Sequence, residues 1–378
     1  MNILIFILIL MVLVIVHEAG HFFTAKSFKI RVDEFGFGFP PKLFGIKKGE
    51  TEYSINALPF GGFVKIFGED IDEADFVEVG FLDKKETPEK VDMARSLVSK
   101  PKYQQALVMF AGIFANFLLA WLLFSFGFMS GLPTSVGSQP KGYDLNDMYL
   151  TVVSVLPKSP AENAGLKTGD KIISLQSSQG FITEVNPDSL KSFIISNSEK
   201  EIELSYLRGK DETVNLVKII PQINGSGGNP SIGISMDQIG TLKLPFFKAL
   251  YEGMRLDWSV TKQTVVGLYT LITDSLIGRG SFSSVTGPVG MVGMVGDASQ
   301  FGLAYLLSFA ALISVNLAII NLIPFPALDG GRLLFLLIEK IKGSRINPKI
   351  ASKVNMVGFS ILIILMITVT LHDVIKLF

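Results

Sequence analysis

The chain of 378 residues contains no cysteine and only three histidines. The missing cysteines exclude structural disulfides, thiolate metal sites and a cysteine nucleophile. Charge is scarce too: Asp, Glu, Lys and Arg make up 18% of the residues, and 34 basic side chains balance 34 acidic ones. A net charge of zero gives no basis for binding nucleic acid or a strongly charged partner. What the sequence has in quantity is apolar residues, 48% of the total with 30 Phe. That is too apolar for an ordinary pair of soluble domains, so an integral membrane protein is expected.

A helix needs about 20 apolar residues to cross a hydrocarbon core of about 30 Å. Four stretches are long enough: Asn2 to Ala25, Tyr103 to Phe128, Phe301 to Ile323 and Val354 to Leu371. The first lacks the basic start and small-residue cleavage site of a signal peptide, so it reads as a retained span. Lys and Arg near span ends are held on the cytoplasmic side. Lys26, Lys29, Arg31, Lys100 and Lys102 lie between the first two spans, and Arg332, Lys340, Lys342, Arg345, Lys349 and Lys353 lie between the last two. Both termini and residues 129 to 300 are therefore expected outside, with only Lys376 pulling the other way.

Within that outer segment, Thr151 to Pro221 alternates like strands around the helix-like stretch SPAENAGLKTGD, which predicts a small α+β domain. After the loop NGSGGNP, residues Phe247, Tyr251, Met254, Trp258, Val265, Leu268, Ile272 and Leu276 form a stripe at helical spacing. Arg255, Asp257 and Lys262 interrupt it, so a surface-lying amphipathic helix is expected rather than a fifth span. Residues 69 to 95 are charged with mixed sign and read as a solvated cytoplasmic loop.

The first span breaks its own pattern. It runs VLVIVHEAGHFFT, placing ionisable residues where they are unfavourable by several kcal/mol and so mark a functional site by default. Histidines four apart share one helix face, so His17 and His21 can reach one metal ion with Glu18 beside them. Two satisfied histidines packed on a neighbouring helix would be the bland explanation. A catalytic zinc takes three protein ligands and keeps one position for water. His372, at the outer end of the last span, is on the wrong side, because His17 and His21 lie about 20 to 30 Å below the outer face at 1.5 Å per residue. Asp329, in NLIPFPALDGGRLLF, follows the third span at matching depth and is the expected third ligand; helix N-capping is its alternative role. Tyr53 to Leu58 and Phe63 to Ile66 alternate around PFGG and predict a β-hairpin whose edge could accept a substrate strand.

HEAGH in a first span, GFGFPPKLF and YSINALPFGGFVKI after it, AGIFANF in the second, SVNLAIINLIPFPALDGG in the third and TGPVG at 286 to 290 resemble the bacterial site-2 proteases, in particular their regulator of sigma E protease members. The resemblance implies a membrane α-helical fold: four transmembrane helices, a membrane-reentrant β-hairpin and one extracytoplasmic PDZ-like α+β domain. It implies zinc on His17, His21 and Asp329, Glu18 as catalytic base, and Asn316 and Asn321 on the substrate backbone. Tyr53, Ser54, Ile55, Asn56, Gly61 and Gly62 of the hairpin are further candidates for substrate binding. Asn116 is a polar group suited to the cavity wall.

The implied activity is hydrolysis of peptide bonds within or near transmembrane segments, such as those of anti-sigma factors or remnant signal peptides. Substrates would be membrane proteins already cut once by another protease, with membrane lipid as the surroundings and the bacterial cytoplasmic membrane as the location. A zinc hydrolase of a non-peptide substrate and an inactive scaffold are the alternatives. The expected domains are 1–130 (two spans, HExxH, hairpin and cytoplasmic loop), 145–222 (PDZ-like), 240–300 (amphipathic helix and GPVG) and 301–378 (last two spans and LDGG). Close members of the family often carry two PDZ domains; this chain has sequence for one.

Overall fold

Long apolar runs without internal proline satisfy their backbone groups as helices, the only open-ended structure lipid tolerates. In a computed structural model describing residues 2–69, 93–140, 142–209, 213–223, 228–278, 286–300 and 302–375, four helices are long and apolar enough to cross a membrane. They are α1 (Asn2–Ser27), α2 (Lys102–Ser130), α7 (Leu303–Leu322) and α9 (Pro348–Ile375). Most of the charged loop expected at 69 to 95 and part of NGSGGNP lie outside the described residues.

The chain divides into two units. The first comprises Met1–Leu122, Arg255–Gly293 and Ala310–Phe378. In it, β1 (Val32–Lys48) and β2 (Thr51–Ile66) pair antiparallel with repeated register shifts. The hairpin turn falls at Gly49 and Glu50, where Lys48 pairs with Thr51, and not at PFGG. Residues 34–37 partner both 62–65 and 52–55, while 44–48 partner 51–55. The two strands thus fold into a small sheet with 51–55 inside it, a register that alternation alone does not reveal because both faces of the segment are partly apolar. Glu50 anchors the turn through Lys26 at 2.5 Å and Arg95 at 2.7 Å. Arg95 first, then Lys26, holds its carboxyl well below the usual range, at about 2. Ala25, Ile30, Val32, Val64, Ile66, Val108 and Met109 form the core that binds this sheet to α1 and α2.

The second unit comprises Leu123–Met254 and Met294–Phe309. Its sheet runs β3 (Leu132–Ser135), β11 (Ile234–Leu242), β4 (Asn146–Val155), β5 (Lys171–Ser177), β7 (Ile202–Leu207), β8 (Asn215–Ile219), with β6 (Gly180–Ile182) on β5. Helices α3 (Pro160–Asn163) and α4 (Pro187–Ser196) start on the side-chain caps Ser159 and Asn186. Strand β7 alternates as expected, burying Ile202, Leu204 and Tyr206 against Leu150, Leu175 and Leu190. The sheet also recruits β3 and β11, from outside the segment expected to form this domain. A further pair of short strands, β9 (Gln222–Ile223) and β10 (Pro230–Ser231), lies antiparallel.

Helix α5 (Phe246–Leu276) has the predicted stripe, with Phe247, Trp258 and Leu276 among its most exposed residues. Helix α6 (Pro288–Gln300) begins in the GPVG segment, where the backbone N–H groups of Gly287 and Gly290 donate to the Asp373 carboxylate at 3.1 and 2.8 Å. Helix α8 (Asp329–Lys342) follows the loop after α7 and is too short to be among the four candidate spans.

Candidate active site

The site is assembled by close helix approach. A Cβ at Gly20 of α1 would lie 2.4 Å from the Ala111 carbonyl oxygen, and one at Gly112 of α2 would lie 2.2 Å from His21 Nε2. Only glycine at both positions lets α1 and α2 meet at this distance. Val108, Gly112 and Asn116 are spaced four apart and share one face of α2. The Val108 carbonyl accepts from His21 Nδ1 at 2.8 Å, and the Asn116 amide meets His17 Nδ1 at 3.1 Å. Both imidazoles are thereby aimed with Nε2 into the site.

The third group, Asp329, is the first residue of α8 and is placed by the loop that follows α7. Pro324 and Pro326 cannot continue the helix, and a Cβ on Gly330 or Gly331 would lie 2.2 Å from the Ile323 or Phe325 carbonyl oxygen. Asn355 of α9 accepts from the Ala327 N–H at 3.3 Å and steadies the loop. Leu328 is the N-cap of α8, so the Asp329 carboxylate is free of that duty. Its Oδ2 lies 3.1 Å from His17 Nε2 and 3.4 Å from His21 Nε2, and the two nitrogens are 3.2 Å apart.

Those edges match a tetrahedral zinc site, since ligand bonds of about 2.0 to 2.1 Å imply ligand separations of about 3.3 Å. Asp329 Oδ2 is also buried without an aligned hydrogen-bond donor among the described residues, as a metal ligand would be. These three side chains could hold one ion. Glu18 shares the local field of His17, His21, Asp329 and Arg332, and Arg332 is paired with Glu69.

The model of Peptidase family M50 matches residues 5–365. The chain belongs to that family. As an M50 peptidase, of the site-2 protease type, it is an integral membrane zinc metalloprotease whose cofactor is zinc. A Clostridium perfringens protein named provisionally as a zinc metalloprotease is 36% identical over 96% of this chain and 95% of its own length. The regulator of sigma-W protease RasP of Bacillus subtilis is 30% identical over 99% of this chain and 98% of its own. The PDZ domain of an SdrC-like protein from Listeria monocytogenes matches 26% of this chain and 93% of its own, at 21% identity and a TM-score of 0.20.

The remaining expected residues of this M50 peptidase fall in different settings. Asn316 lies on α7 and accepts from Thr264 Oγ1 at 3.2 Å, while Asn321 is half-buried in the last turn of that helix. Ser54 is buried and donates to Glu34, and Asn56 is buried and donates to the Gly38 carbonyl at 3.0 Å. Tyr53 and Ile55 are exposed. Gly61 has φ 82°, a left-handed conformation that suits glycine. Gly62 backs onto the site: a Cβ there would lie 3.5 Å from Glu18 Cγ. Sequence reasoning did not reach Val108, Gly112 or Asn355, and used Arg332 only to orient the chain. The four-residue spacing of Gly112 and Asn116 was the one signal that could have pointed to a face of α2.

Proposed function

We propose that His17, His21 and Asp329 hold the zinc, that Glu18 is the catalytic base, and that the reaction is cleavage of other membrane proteins within or near their spans. One observation carries this reading: three ligand atoms lying within 4.8 Å of one another, two of them on a helix apolar enough to cross a membrane. Bound zinc supplies a more acidic water and polarises the scissile carbonyl. The Glu18 carboxylate takes the proton of the attacking water and passes it to the leaving amine. Asn116 and the Val108 carbonyl keep the imidazoles aimed, and the apolar helices restrict water to a cavity reached from the cytoplasmic side.

A helical substrate hides its carbonyls in its own hydrogen bonds and must be held extended to be cut. Residues 51–55 have partners on both sides, so the edge at 62–66, beside Glu18, is the surface for strand addition, with Tyr53 and Ile55 offering side-chain contact. In the membrane this sheet would be a reentrant element, tolerated because it lines the cavity. Asn316 and Asn321 complete the grip on the substrate backbone. Along an antiparallel edge, one of two neighbouring residues points its N–H outward. Of Val64→Pro and Lys65→Pro, the one that removes the outward N–H is expected to abolish cleavage with zinc content intact. Normal cleavage in every proline variant that retains zinc would reject the clamp.

The name of the Bacillus subtilis relative, regulator of sigma-W protease, supports membrane-bound regulators of sigma factors as substrates here; remnant signal peptides, and a first cut by another protease, complete the proposal. The PDZ-like domain, placed outside the cytoplasmic membrane with both termini, would bind a peptide end or screen out bulky substrates. Cysteines introduced at Ser178 and Ser344 test this topology. In intact cells an impermeant thiol reagent is expected to label Ser178→Cys and not Ser344→Cys; the reverse would overturn the orientation. Membrane fragments that accumulate in cells carrying Glu18→Gln, and not in cells carrying the native chain, identify the substrates.

A further inference from the structure

The two imidazoles are held by unlike partners. His21 Nδ1 faces the Val108 carbonyl at 2.8 Å. A carbonyl only accepts, so Nδ1 carries the proton and the Nε2 lone pair faces the site. His17 meets a side-chain amide instead. Its Nδ1 lies 3.1 Å from Asn116 Nδ2, while Asn116 Oδ1 is buried with no partner among the described residues. An amide nitrogen only donates, so this arrangement places the His17 proton on Nε2, where no lone pair remains for a ligand bond. Turning the amide by half a rotation exchanges its oxygen and nitrogen without changing its shape. Oδ1 then accepts from His17 Nδ1–H and Nε2 becomes a ligand equivalent to that of His21, while Nδ2 takes the buried position that Oδ1 leaves.

We propose that Asn116 is the positioning residue that selects the metal-binding tautomer of His17, through an amide that turns its oxygen to Nδ1–H. Asn116 is 0% exposed, its own carbonyl is engaged by Ser314 Oγ at 2.8 Å, and the contact at Gly112 fixes the depth of α2 against α1. Half a turn of the amide changes which atom meets His17 without displacing either helix. Such an outer partner sets ring orientation and ligand basicity, and losing one lowers metal affinity by about 10- to 100-fold. This inference rests on the zinc ligands proposed above.

The test measures zinc affinity of the full purified chain by competition with a chelator at fixed pH, independently of cleavage. Asn116→Asp can only accept, and Asn116→Leu keeps the volume but cannot accept. The tautomer role predicts that the aspartate variant holds zinc at least as tightly as the native chain, and that the leucine variant loses about 10- to 100-fold. A packing role predicts the opposite order, because leucine suits an apolar interior and an unpaired buried carboxylate does not. Leucine binding as tightly as asparagine, or aspartate weakening as much as leucine, would overturn the proposal. Asn116→Ala replaces the leucine variant if the latter does not fold, with the same loss expected. Asp329→Ala is the reference: loss of zinc there, with Asn116→Leu holding zinc more tightly than Asn116→Asp, defeats this inference alone. Zinc retention in Asp329→Ala defeats the ligand assignment instead.

Discussion

Alanine at Asp329 is expected to strip zinc from the purified chain and to abolish cleavage. The carboxylate is the only acidic member of the cluster, and the two imidazoles alone leave the ion with two of its three protein ligands. Affinity should fall by more than the ~10- to 100-fold that removal of an outer partner causes. The substitution leaves the N-cap of α8 in place, since that residue is Leu328, and removes one acidic side chain from the first turn. Misfolding is therefore not the expected cause of the loss. Elemental analysis should find about one zinc per native chain and almost none in the variant, as a single three-ligand site requires. Full retention in the variant would reject Asp329 as a ligand.

Glutamine at Glu18 should separate binding from chemistry. The change keeps the side chain's length and removes the charge and the basic oxygen. Zinc should stay bound, because Glu18 is no member of the ligand cluster. Cleavage should fall by at least ~100-fold, the lower end of general acid–base contributions. Single-turnover rates on a purified substrate give the comparison, and unchanged turnover would remove Glu18 from the mechanism.

The parts of this site that share a helix were legible in the sequence, because spacing on a helix is fixed by 3.6 residues per turn. His17, Glu18 and His21 needed only that rule. Asp329 was reached by depth, through the rise per residue and the positions of Lys and Arg. The contacts of Asn116 with His17 and Val108 with His21 span 99 and 87 residues, and no local pattern encodes them. The sheet of β1 and β2 shows the same limit: its alternation was visible, but which segment pairs with which depends on burial against α1 and α2. Strand β11 joins a sheet whose other strands end 15 residues earlier, at Ile219, a pairing that no local pattern encodes. The four long apolar helices were plain from composition, since their sequence admits little else.

The most direct test of the central claim is cleavage-site mapping by mass spectrometry, using the purified full chain with a single-span membrane protein as substrate in proteoliposomes. The expected result is a cut within or at the margin of the substrate's apolar span. It should be lost on treatment with a zinc chelator, restored by zinc, and absent with Glu18→Gln. A cut confined to the soluble part of the substrate, or one that persists with chelator or in the Glu18→Gln chain, would contradict a zinc-dependent intramembrane reaction at this site.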